Sequence, residues 1–251
     1  MPSDAELLQL AFESEEDASW EAIRALHHRA TKEIFEAAAA KLSSERPQSR
    51  SRAAMILAQL GIPKRAFPDQ SLAVLTETLA REQEPSVVAS LVIAVGHLHD
   101  ERIIPSLLPL GRHTNAEVRY AVASSLHGLP AAHTIETLIL LSCDPSPKVR
   151  DWACFAIANA DVDSSATRDA LLARVRDDDL DTKSEAIAGL CRRRDARVVP
   201  LLIELLESNG SIMDDAMQSI LALDETELRS RDDWNNVDWP RLQRALEKWR
   251  C

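Results

Sequence analysis

The sequence predicts an all-α fold in which short helix pairs stack on copies of themselves. Three observations carry this. The stretch 115–144, NAEVRYAVASSLHGLPAAHTIETLILLSCD, reads as helix, turn, helix and returns along the chain at intervals of about 31 residues. Apolar or small residues follow Val118 at Val122, Ala123, Ser125 and Leu126, offsets that share one face of a 3.6-residue helix. No segment shows the alternating β-branched pattern of a strand. Neither helix of such a unit can bury its stripe alone, so the units must pack on one another.

Composition fits close-packed helix pairs. Hydrophobic residues make up 45% of the 251 but aromatics only 4%, which leaves Ala and Leu to fill the interior. The 12 Pro fall mostly between predicted helices or in their first turns. The net charge of −11 is unevenly spread: −5 over 1–47, +1 over 48–130, −4 over 131–210 and −3 over 211–251. Such a surface repels phosphate backbones and favours basic partners, so nucleic acid is not the expected ligand. No charged stretch followed by an apolar run opens the chain, and no run of 18 apolar residues exists. The expectation is a cytoplasmic chain without a secretory signal or membrane span. Its four cysteines form no CxxC pair and are expected to be buried, reduced thiols.

Residues 1–46 read as an N-terminal cap and a degenerate repeat, with helices over Asp4–Phe12, Ser19–Arg29 and Thr31–Leu42. Regular repeats fill 47–222, their first helices aligned on Ser51, Val87, Val118, Val149, Thr182 and Ile212. Four places on stand Met55, Leu91, Val122, Ala153, Ala186 and Ala216. Eight places on stand Gln59, Val95, Leu126, Ile157, Leu190 and Ile220. The residue after each aligned position is basic in four repeats, as Arg52, Arg119, Arg150 and Lys183. Second helices are expected over Gln70–Ala80, Arg102–Arg112, Ala132–Ser142, Thr167–Arg176 and Ala196–Leu206. Two of them share a signature, IIPSLLPL and VVPLLIEL, with Pro105 and Pro200 in the first turn, where a missing N–H costs little. Residues 223–251 break the pattern and hold Trp234, Trp239 and Trp249. They read as a C-terminal cap ending in a helix that starts near Pro240.

The segments VRYAVASSL, VRDWACFAI and VVASLVIAVG, with HDERIIPSLLPL and RDARVVPLLIELL, resemble HEAT repeats over about residues 48–222. The resemblance is to the short bacterial type also called phycobilin-lyase HEAT-like repeats. It implies a right-handed α-solenoid of about six to seven helix pairs with a cap at each end. It also implies an Arg one place after the aligned Val, paired between repeats with an Asp. Arg119, Arg150 and Lys183 fit the first position and Asp144 and Asp177 the second, whereas Val88 and Met213 depart from it. HEAT-like bilin lyases and DNA glycosylases exist, but no motif here carries either activity over. The predicted second helices mix Glu77, Glu136, Asp169, Glu204 and Glu207 with Arg112, Arg168, Arg174 and Arg176, which is not a phosphate track.

Other clusters have ordinary explanations. His97 and His127 end two adjacent first helices, where the helix dipole favours them, and His99, His113 and His133 lie nearby in sequence. No HxxxH pair or cysteine spacing joins them, so no metal site is expected. The Arg192–Arg194 run reads as a solvated turn. The acidic run Asp177, Asp178, Asp179 and Asp181 lacks the alternating ligands and glycine of a calcium loop. The functional expectation is a non-enzymatic scaffold, without cofactor, that holds another protein, a basic one, on its concave face. Glu136, Glu204, Glu207 and the Asp177, Asp178, Asp179 and Asp181 loop would supply the charge, with Tyr120 and Trp152 as aromatic anchors. An immunity or inhibitor protein that neutralises a basic toxin is one specific form. A HEAT-like enzyme or enzyme subunit, bilin lyase-like or DNA glycosylase-like, is the alternative.

Overall fold

In the computed structural model, which describes residues 2–207 together with Pro240 and Arg244, every regular element is helical. The chain divides into two compact units, residues 1–130 and 131–251. Unit 1 runs through α1 (Asp4–Glu13), α2 (Glu16–His27), α3 (Lys32–Lys41), α4 (Pro47–Gln59), α5 (Pro68–Arg81), α6 (Pro85–Gly96), α7 (Ile104–Leu107) and α8 (Ala116–Leu126). Unit 2 holds α9 (Ala131–Leu141), α10 (Pro147–Asn159), α11 (Ser165–Leu172), α12 (Leu180–Arg192) and α13 (Val199–Glu207). The expected last repeat from Ile212 and the Trp-rich cap lie outside the described residues.

Local chemistry starts these helices. Ser3 and Glu6 form a capping box at α1, and Thr31, Asn115, Ser164 and Asp179 each accept a backbone N–H at a helix start. Prolines open α4, α5, α6 and α10, where the absent N–H has no intrahelical partner to lose.

First helices stack on first helices within each unit, α4 on α6 and α6 on α8 in unit 1, and α10 on α12 in unit 2. Val87, Leu91, Val95 and Val118, Val122, Leu126 are buried in unit 1, and Val149, Ala153, Ile157 and Thr182, Ala186, Leu190 in unit 2. The helices approach closely enough that a Cβ on Gly96 would fall 2.6 Å from the Ser125 Cβ. One on Gly189 would fall 2.8 Å from the Ala158 Cβ.

Three expectations are corrected. In α4 the buried face is Ser49, Ala53 and Leu57, while Ser51, Met55 and Gln59 are half-exposed. The register of that repeat is therefore two residues earlier than the sequence alignment, and Gln59 at an apolar position was the sign. Second, Arg102–Arg112 is not one helix. Pro109 lacks an N–H and its ring crowds the carbonyl four residues back. The segment breaks into 3-10 turns over Glu101–Ile103 and Leu108–Arg112, either side of the single turn α7. VVPLLIEL has no second proline, and α13 is regular. Third, Cys154 and Cys191 are buried, their thiols pushed up to about 12 by burial, but Cys143 is exposed.

Candidate functional site: an acidic face on unit 2

The paired charges inside the repeats must be set aside before the surface can be read. Arg150, one place after Val149, reaches back with Nη1 to the carbonyls of Asp144 and Pro145 at 3.0 and 3.2 Å. Its Nε and Nη2 meet the Asp177 carboxylate at 3.0 and 2.7 Å. Asp177 is 5% exposed and also takes Arg174 at 3.3 Å. Burial is the largest influence and works against its charge, but the Arg150 hydrogen bonds, the Asp179 N–H and the Arg150 and Arg174 charges together outweigh it and hold the carboxyl below the usual range. Arg50 repeats the geometry in unit 1, with Nη1 on the Ser44 and Glu45 carbonyls and Nε and Nη2 on Glu82. The between-repeat pair implied by the resemblance thus begins at Arg50, not at Arg52. Arg52 is buried and donates to the carbonyls of Ala11 and Ser14.

A second ladder ties the starts of second helices. Arg197 bridges Asp195 of its own repeat at 2.7 Å and Asp169 on α11 at 2.5 Å. Arg102 does the same with Asp100 at 2.6 Å and Asp69 at the start of α5 at 2.7 Å. The segments DAR and DER carried this signal. The groove of about 640 Å³ beside Arg168, Asp169, Asp195 and Arg197 is lined by these already paired charges.

The Arg192–Arg194 run is not a solvated turn throughout. Arg193 is buried, and its guanidinium donates to the carbonyls of Ile157, Ala158, Ala160 and Val162 at the end of α10. It serves as a side-chain cap for carbonyls that have no helical partner.

The remaining anions form the candidate surface. Asp178 and Asp181 are exposed, and Asp179 caps α12 by accepting the Thr182 N–H at 2.9 Å. Between them Leu180 projects its side chain, 63% exposed. Glu204 on α13 is exposed and joined to Arg176 at 2.7 Å, which ties the α13 surface to the start of this acidic turn. Glu207 is exposed one turn further along α13. On α9, exposed Glu136 is four residues from Leu140, itself 38% exposed, so both lie on one helix face. Trp152 is half-buried on α10, edge-on to Phe155 with ring centroids 5.6 Å apart. Tyr120 is half-buried on α8 of unit 1.

Sequence reasoning passed over Asp151. It sits half-buried on α10, and its carboxyl is pushed up to about 6 by burial and then by the charges of Asp181 and Asp179. The available signal was the repeat period, because Asp181 follows Asp151 by 30 residues. No group of three or more metal-binding side chains is assembled among the described residues. No described helix is long and apolar enough to cross a membrane.

Comparisons with known proteins agree with this architecture. A family model described as HEAT repeats matches residues 135–222. Protein YibA of Escherichia coli is 28% identical over 172 residues, 66% of this chain, and the match spans 61% of YibA's length. The crystal structure of YibA superimposes with a TM-score of 0.75 at 25% identity, covering 99% of this chain and 93% of that one. The complex of CpcE and CpcF of phycocyanin lyase from Nostoc sp. PCC7120 shares the fold at a TM-score of 0.52 and 16% identity, over 88% and 93% of the two chains. Kap121p bound to Ste12p does so at 0.56 and 13%, over 86% of this chain and 25% of Kap121p. Residues 135–222 match HEAT repeats, and the fold of the chain is that of a HEAT-repeat α-solenoid.

Proposed function

We propose that the chain is a non-enzymatic scaffold that binds a basic protein through unit 2, using the second-helix face and the turn before α12. One observation carries the reading. Exposed Asp178 and Asp181 flank the solvent-exposed Leu180 in the turn before α12, exposed Glu136 shares a face of α9 with Leu140, and Glu204 and Glu207 are exposed on α13, while Asp177 is taken up by the ladder. Carboxylates around an apolar contact suit a partner segment that alternates Lys or Arg with apolar residues, and long-range attraction would speed the encounter. The half-buried Trp152 ring offers a neighbouring anchor on α10. HEAT-fold neighbours solved with protein partners, CpcE with CpcF and Kap121p with Ste12p, support a binding role. An immunity or inhibitor protein directed at a basic toxin is the specific form this favours.

The test is affinity capture at low salt with mass spectrometry, run with the intact chain and with a quadruple variant, D178K/D181K/E204K/E207K. The proposal requires a stoichiometric basic protein that the variant loses and that added salt releases. Capture of no stoichiometric protein, or of one that the variant retains, contradicts it.

A further inference from the structure

Unit 1 contains a guanidinium with no carboxylate. Arg65 lies in the turn between α4 and α5, a stretch clasped to the end of α2. The Gly61 and Ile62 N–H groups donate to the His27 carbonyl at 2.8 and 3.0 Å, and the Ala66 N–H to Leu60 at 2.7 Å. Gly61 has φ +78°, and a Cβ there would meet the Ala66 nitrogen at 2.7 Å, so the turn closes only around a glycine. Arg65 itself has φ +38°. Its Nη1 donates to the Ala58 carbonyl, and its Nε and Nη2 take no hydrogen bond among the described residues. Arg29, Arg50, Arg150, Arg168 and Arg174 all meet carboxylates, and the more deeply buried Arg52 and Arg193 are each held by at least two carbonyls, whereas Arg65 has one.

The Arg65 charge acts instead on two imidazoles, those of His27 and His97. His27 ends α2 and holds the Met55 carbonyl at 2.9 Å, His97 caps α6, and the His99 ring lies 3.7 Å from where a Gly128 Cβ would stand. His28 acts on His27, His99 on His97 and His127, and Lys64 is exposed on the Arg65 turn. Burial and the Arg65 charge both hold His27 and His97 below the ordinary imidazole range. A fixed cation beside the His27 and His97 imidazoles, with its Nε and Nη2 uncommitted, is incomplete without an anion.

We infer that this edge of unit 1 binds a phosphate-type oxyanion, with Arg65 and His97 as direct donors and Lys64 and His99 at the rim. The site belongs to unit 1 and has the opposite charge preference to the acidic residues of unit 2. An anion would offset the charge that now opposes imidazole protonation, so binding takes up a proton.

Sulfate is the probe, because it stays dianionic across the range and its pH dependence reports on the protein alone. Histidine ring signals of the full chain would be followed by NMR during sulfate titration at pH 6 and pH 8. Saturable shifts at His97 and His99 are expected, tighter at pH 6 by about tenfold, as for one imidazole gaining a proton. His113 and His133 should stay still, and Arg65→Gln should abolish the effect. Should that variant lose its helical circular dichroism, His99→Asn serves instead. Asn tolerates the left-handed backbone at 99 (φ +52°), and a several-fold weakening is then expected. Non-saturating shifts, equal movement of all seven histidines, saturable binding that survives in folded Arg65→Gln, or undiminished affinity in folded His99→Asn would overturn the inference.

Discussion

The two units are built from the same repeat but close it with different chemistry. In unit 2 the end of a first helix is sealed by Arg193, whose guanidinium takes the Ala158 carbonyl and four others. At the matching place in unit 1, Arg65 takes the Ala58 carbonyl, and its charge acts on His27 and His97. Unit 1 carries six of the seven histidines, whereas unit 2 carries the crowded carboxylates Asp151, Asp179 and Asp181. One repeat pattern thus supports a surface that responds to acid through imidazoles and another that responds through carboxylates.

The largest effects should come from what both units share. Arg150→Ala leaves the Asp177 carboxylate almost buried and short of its main partner, at a cost of about 3 kcal/mol. Arg50→Ala strands Glu82 in the same way, and chemical denaturation followed by circular dichroism should give similar losses for the two. A loss confined to one would break the equivalence of the ladders. Gly96→Ala should cost about 1–3 kcal/mol through overpacking against Ser125, read as a lower melting temperature. Unaltered stability would mean that α6 and α8 can separate freely.

Next come effects that separate the units. Arg193→Met exposes no new charge but withdraws the guanidinium from five carbonyls, and about 2–3 kcal/mol should be lost by denaturant titration. Arg65→Gln gives up one such bond and should cost less in the same experiment. Asp151→Asn should stabilise the chain at pH 7 by removing a disfavoured charge, an increase that fades towards pH 5 as the native carboxyl protonates. The smallest change is expected from Arg102→Ala, whose ladder is open to solvent. A loss as large as that of Arg150→Ala would show the outer ladder to be more than a surface network.

Much of this was legible in the sequence because burial repeats. Val87, Val118 and Val149 recur on the same face, and the helix starts follow from Pro and capping residues. What failed has local causes. Ser49 and Ser51 are the same residue type two places apart, so the first position could not choose the register, and polar Gln59 against apolar Leu57 was its one sign; the burial of α4 and the Arg50–Glu82 pair show it. Pro109 altered a segment whose apolar pattern matched a regular helix. Arg193 and Arg65 could not be told from surface cations, because their carbonyl partners carry no side-chain signature. Asp177 looked like its acidic neighbours, and its inward direction depends on Arg150, which precedes it by 27 residues.

The contrast between the units has a direct test in acid. His27, His97 and His127 are held below the ordinary 6.5, so the unfolded chain takes up their protons first. Their contribution is complete above that value and is lost as pH falls through the depressed range. Asp151 has the opposite sign. Its folded carboxyl is raised to about 6, so it favours the folded state at low pH and that gain is lost as pH rises through 6. Hydrogen exchange with mass spectrometry at pH 7 and pH 5.5, corrected for intrinsic rates, reads each unit separately. Protection should fall on acidification in α4, α6 and α8 and should hold or rise in α10 and α12. A uniform fall across both units, or a loss confined to α10 and α12, would contradict the account.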